Sequence, residues 1–352
     1  MPSSIQVTQR LLALIEEIDS SAEQINQAAR TLLQSTKGTS ASNLRNVLET
    51  LSLNLDVEDP ARASVLLMVC GSLVEFGAKT NTLHEPLIRQ LRKIIEQAGQ
   101  FQAAVLSQMP ASTEKEANRE SAFKAAAKGV ATDLPDDAAA WMALDQSYLA
   151  GITLFSVSRE ARTAARCELS LVHELAEFHP GAAWLWKMLQ VLDDEPLLVI
   201  EPATRKGMVG RMNGIAENFQ LNVLLMEVFP RGWFRRRRVS KGAVDVARGI
   251  GPQETEEVIQ GTWNLYTAAA LRADRTLPDP NDFEASSTWV WNEGVPADLP
   301  QRSGHRVVLL GPTAYARTWN SQRAFKLLPA DISKVRKLTT REVEDWLDRL
   351  KG

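Results

Sequence analysis

The chain has 352 residues, 44% of them apolar and 24% charged, with a net charge of −3. That is ordinary globular composition, and it excludes a disordered chain, a collagen and a simple coiled-coil rod. The length suits two or three domains, and the longest nearly uncharged apolar run, Val65–Val74, is shorter than the roughly 20 residues a membrane-spanning helix needs.

Charge is unevenly spread. Residues 1–133 hold 13 basic and 15 acidic side chains, residues 134–230 hold 7 and 13, and residues 231–352 hold 20 and 15. All nine Trp and all three Tyr lie at or after Trp141. Met1–Pro2–Ser3–Ser4 has no basic stretch leading into an apolar one, so no secretory signal is expected. Two cysteines, Cys70 and Cys167, are too few for a disulfide scaffold and suit a reducing compartment, so a cytoplasmic protein is expected.

From the N-terminus, Leu11, Ile15, Ile18, Ala22, Ile25, Ala29 and Leu32 recur in 4-3-4-3 steps. The spacing predicts one helix with a single apolar seam, open to self-association through residues 11–32 and stopped before Gly38. A helix over Leu44–Leu55 follows, then one opened by Asp59–Pro60 and one from Glu85–Pro86 to Ser107. Together they predict a helical bundle over residues 1–108. Residues 109–135 are expected to hold a linker and a weak helix, opened by the capping box Thr113-x-x-Glu116. Residues 136–352 are expected to hold helices, then an α+β domain with a small sheet from about residue 197. Within them the helical pattern runs nearly unbroken from Ala138 to Phe178, with a kink expected at Gly151. Another helix spans Ala182–Leu192. Leu197–Ile200 and Met208–Ile215 are expected to pair as a hairpin, and a buried helix covers Phe219–Phe229. Further strands are expected at Ser287–Trp291 and Arg306–Leu310. Thr339-x-x-Glu342 opens a last helix that aligns Val343, Trp346, Leu347 and Leu350. The fold class expected is therefore α+β, with an N-terminal helical bundle.

No catalytic constellation stands out, and no cofactor or metal is expected. His173 and Glu177 share a helix face but lack a third ligand. The G-x-x-G within Arg205–Arg211 is explained by a hairpin turn rather than a phosphate cradle, and Gly311–Pro312 by a plain turn. The strongest charge feature is Arg231, Arg235, Arg236, Arg237, Arg238 and Lys241, a contact surface for an anionic partner. Trp-Asn occurs at 263, 291 and 319, without aligned sequence between the copies. Trp289, Trp291, Tyr315 and Arg317 could line an aromatic groove. These features favour an accessory or scaffold protein that binds a protein partner. The alternatives are a hydrolase with a dispersed C-terminal site, using His305, Tyr315 or the His173/Glu177 pair, and a nucleic-acid-binding protein using residues 231–248.

Overall fold

The computed structural model describes residues 3–110, 116–230 and 239–351. The chain is α+β and forms two compact units, Met1–Leu189 and Gln190–Gly352. The first unit continues past Gln108 through helices that pack on those before it.

The first unit opens with α1 (Ser4–Glu16) and α2 (Ala22–Thr36), each started by a Ser/Gln capping box, at Ser3/Gln6 and Ser21/Gln24. The expected single helix is thus broken at residues 17–21. Leu11, Ile15, Ile25, Ala29 and Leu32 are buried inside the unit. Ile18 sits in the break and is 89% exposed. The Arg62 guanidinium holds the break, donating to the carbonyls of Ile15 (2.8 Å), Glu17 (2.8 Å) and Ile18 (2.7 Å) at the end of α1. Ile18→Asp is therefore expected to change the stability of the chain by no more than about 0.5 kcal/mol, read from urea unfolding. A larger loss would mean that Ile18 is packed.

Next come α3 (Ala41–Ser52), α4 (Pro60–Glu75), α5 (His84–Gln108), α6 (Glu116–Asp133) and α7 (Pro135–Val157). The Asp59 carboxylate accepts from the N–H groups of Ala61 and Arg62 at the head of α4. The α7 helix packs against both α4 and α5. The α4–α7 crossing is close because small residues meet there: a Cβ on Gly71 would lie 3.0 Å from the Ala150 Cα. No break occurs at Gly151, which fits under Leu91; α7 ends instead at Val157. Ser158 caps the short α8 (Arg159–Ala164), and α9 (Leu169–Leu175) and α10 (Pro180–Leu189) complete the unit. Thr113 lies outside the described residues.

His179 fastens the head of α10. Its Nδ1 accepts from the Ala182 N–H (3.3 Å) and its Nε2–H donates to the Trp141 carbonyl (3.2 Å), so the ring is neutral. Burial holds its pKa below the usual 6.5, against the opposing pull of Asp145 3.6 Å away. Burial lowers His84 as well, against Glu160. Below the unfolded value the unfolded chain takes up protons that the native chain resists, so this stability is complete above pH 6.5 and lost as pH falls. The urea midpoint should hold between pH 7 and 8 and drop toward pH 5.5. His179→Gln should flatten part of that drop, and an unchanged slope would refute the assignment.

In the second unit, β1 (Glu195–Glu201) and β2 (Lys206–Asn213) form the expected hairpin. They are followed by α11 (Asn218–Val228), α12 (Lys241–Ala247), β3 (Glu254–Gln260), β4 (Asn264–Tyr266), β5 (Gln301–Arg302), β6 (His305–Gly311), β7 (Thr318–Gln322), β8 (Asp331–Lys337) and α13 (Thr340–Leu350). The main sheet has the order β4-β6-β1-β2-β8, with β5 beside β6, and β1 and β6 run parallel. Leu197, Val199, Val308 and Leu310 pack on α11, while Leu198, Ile200, Val307 and Leu309 pack with Val343 and Leu347 of α13. Burial of both faces explains why β1 and β6 are continuous apolar runs. A separate two-stranded sheet pairs β3 with β7. Ser287–Trp291 is not a strand: Phe283–Thr288 is a 3-10 turn, followed by one bridge between Tyr266 and Trp289. The rim strand β8 is bulged opposite Val209–Arg211, with Lys334 at φ 49°, and exposes Lys334, Val335, Arg336 and Lys337.

Candidate functional site at the carboxyl edge of the sheet

The parallel pair gives this sheet a polarity. Glu201 ends β1 and Gly311 ends β6, so both lie at one edge. Asn264 begins β4 opposite Gly311, which brings it to the same edge. In open sheets with parallel strands, ligands settle outside the carboxyl ends.

The polar groups at this edge are held tightly. Glu201 receives the Trp263 indole N–H at 3.0 Å on one carboxylate oxygen and the Thr204 hydroxyl on the other. Trp263 packs edge-on against Phe229, with ring centroids 5.4 Å apart. Arg317 is only 8% exposed, and its guanidinium donates to the Asn264 side-chain carbonyl. Its backbone carbonyl accepts from the Gly261 N–H at 2.9 Å, fixing the strap that carries it. The Asn264 NH2 group is buried and meets no acceptor.

Tyr266 shares a face of β4 with Asn264, and its ring lies across Gly311: a Cβ there would come within 2.7 Å of it. Trp289 stands edge-on to Tyr266 at 6.4 Å, and Trp291 packs on Trp289 at 5.4 Å. This row runs from the fully buried Tyr266 to Trp291, which is 49% exposed. The Tyr266 hydroxyl and the Trp289 indole N–H are also buried without a hydrogen-bond partner.

Of the four residues expected to line an aromatic groove, two are in ring contact. Trp289 and Trp291 meet, though not on a strand. Arg317 reaches β4 through Asn264. Tyr315 is 55% exposed, and no ring contact joins it to either tryptophan. Sequence reasoning noticed Asn264 only within the Trp-Asn recurrence; nothing local pairs it with a residue 53 positions away.

The other candidates each have a separate packing partner. His173 lies on Trp186 at 4.7 Å, while Glu177 pairs with Arg119 at 2.6 Å. His305 packs on Trp346 at 5.2 Å. Among the described residues, no group of three or more His, Cys, Asp and Glu side chains is gathered to hold a metal ion. Gly207 and Gly210 let strands approach: a Cβ on each would meet the carbonyls of Val199 and Ser333 at 3.1 Å. Of the basic block, Arg231, Arg235, Arg236, Arg237 and Arg238 lie outside the described residues, and Lys241 is exposed at the head of α12. No helix among the described residues is long and apolar enough to cross a membrane. No family model, curated protein or solved structure matches the chain.

Proposed function

We propose that this chain is a cytoplasmic accessory protein that docks a protein partner on the aromatic ledge of its second unit. The observation that carries this reading is the Tyr266–Trp289–Trp291 row. A large aromatic ring, half open to solvent, rests on Trp289, which stands in turn against the fully buried Tyr266. Tryptophans fixed in this way are the usual anchors of protein interfaces, because little side-chain freedom is lost on binding. The two free cysteines, Cys70 buried and Cys167 exposed, agree with a reducing compartment.

The test is proximity cross-linking in cells from a photoreactive residue placed at Trp291. It is run beside affinity capture with the native chain and with Trp291→Ala. Capture of the cross-linked partner should fall at least tenfold in Trp291→Ala, with the melting temperature held. Equal capture by both chains would end the reading.

A further inference from the structure

We infer that Arg317 and Asn264 form a binding site for a carboxylate at the carboxyl edge of the main sheet. The inference is independent of the aromatic ledge.

Its basis is a charge left without a counterpart. Two other sunken arginines each meet several acceptors. Arg323, 4% exposed, donates to the carbonyls of Val246, Gly251, Pro252 and Lys326. Arg306 pairs with Glu195 at 2.8 Å and also donates to two carbonyls. Arg317, 8% exposed, makes one hydrogen bond, to a neutral amide, and no ion pair among the described residues, and its Nε and Nη2 donors are not closed off from solvent. The nearby carboxylate at this edge, Glu201, is taken on both oxygens by Trp263 and Thr204. A guanidinium held by one neutral amide, with donors left open at the edge where such sheets bind ligands, is suited to an anion that comes and goes.

The chemistry favours a carboxylate over a phosphate. Arg317 supplies one positive charge and a planar fork of donors, matching a singly charged, planar, bidentate acceptor. A phosphate carries about 1.5 to 2 negative charges at neutral pH and calls for more donors than one guanidinium. The site is also preformed. Asn264 is fixed by pairing with Gly311 and holds the guanidinium, while the Arg317 carbonyl is tied to Gly261.

The carboxylate could belong to a small acid or to a peptide terminus, and the experiment separates them. Sodium acetate, trialanine, trialaninamide and inorganic phosphate are titrated calorimetrically into the whole chain at low salt. Acetate or trialanine should bind saturably at one site per chain, with trialaninamide and phosphate at least tenfold weaker. Trialanine at least tenfold tighter than acetate assigns a peptide terminus; equal affinities assign a small acid. Arg317→Met should weaken carboxylate binding at least tenfold, and Arg317→Lys, which keeps the charge without the fork, should fall between. Asn264→Asp provides a check that does not depend on removing the arginine. It gives the guanidinium a fixed carboxylate, so it should raise the melting temperature and abolish carboxylate binding. No saturable carboxylate binding by the native chain overturns the inference, as does native-like binding by a folded Arg317→Met or Asn264→Asp chain.

Discussion

A chain ended at Leu189 will melt cooperatively, and one ended at Gln108 will not. The reason lies in α4. Ala63, Val65, Leu66, Leu67, Val69, Cys70, Leu73 and Val74 are all buried, so the helix keeps only a narrow solvent stripe along Ala61, Met68, Ser72 and Glu75. The α1–α3 helices cover part of it and α7 covers the rest, meeting it at Gly71/Ala150 and Ser64/Gln146. The α5 helix likewise loses Trp141 from Phe101, Gly151 from Leu91, and the Glu174 carbonyl from Gln102 when residues beyond 108 are removed. Each large apolar side chain returned to water forfeits about 1.5–3 kcal/mol. Four or five of them match the roughly 5–15 kcal/mol by which a whole domain is stable. Circular dichroism should show a sigmoidal melt for residues 1–189 and a broad, sloping one for residues 1–108. A sharp transition in the shorter chain would show that α1–α5 need no cover.

Gly214→Ala is expected to cost more than about 3 kcal/mol, enough to lower the melting temperature by many degrees. Gly214 turns the chain out of β2 at φ 63°, where a side chain is already strained. A Cβ there would stand 2.0 Å from the Pro329 carbonyl oxygen, so a backbone segment must move. Gly249, at φ 81°, presses on the same segment: its Cβ would come 2.6 Å from the Leu328 oxygen. Gly38, at φ 76° with nothing within 4 Å, is the control. Gly38→Ala carries the backbone cost alone, about 1–2 kcal/mol. Equal losses at Gly38 and Gly214, measured by chemical denaturation, would mean that the clash relaxes without effect.

The helical half was the more legible because helix signals are local. Pro60 at the head of α4 and the Thr339/Glu342 box at the head of α13 lie within a few residues of what they specify. The seam from Leu11 to Leu32 misled because both arms of a helical hairpin face one core, so the apolar rhythm continued across the turn. The Ser21-x-x-Gln24 box that starts α2 was present but outweighed. In the sheet, β1 and β6 stood out through burial on both faces. By contrast, β3 has one buried residue in seven, and β8 exposes its last four, so neither carries an apolar alternation to detect. Trp289 and Trp291 alternate like strand residues, but their geometry comes from packing on Tyr266. Arg317 could be noticed as a residue; its condition could not, because that depends on β4 and β7 folding together across 53 positions.

The bulged rim strand bears on how this protein behaves when crowded. A sheet edge is a template on which a second chain can lay a strand, and long, flat, apolar edges seed fibres. Along β8 the extra residue at Lys334 puts successive N–H and C=O groups out of step with any straight strand brought alongside. Lys334, Arg336 and Lys337 add like charge to an approaching copy of the same edge. Concentrated solutions of the folded chain should therefore resist sheet-to-sheet growth at this rim, and the resistance should weaken as added salt screens those cations.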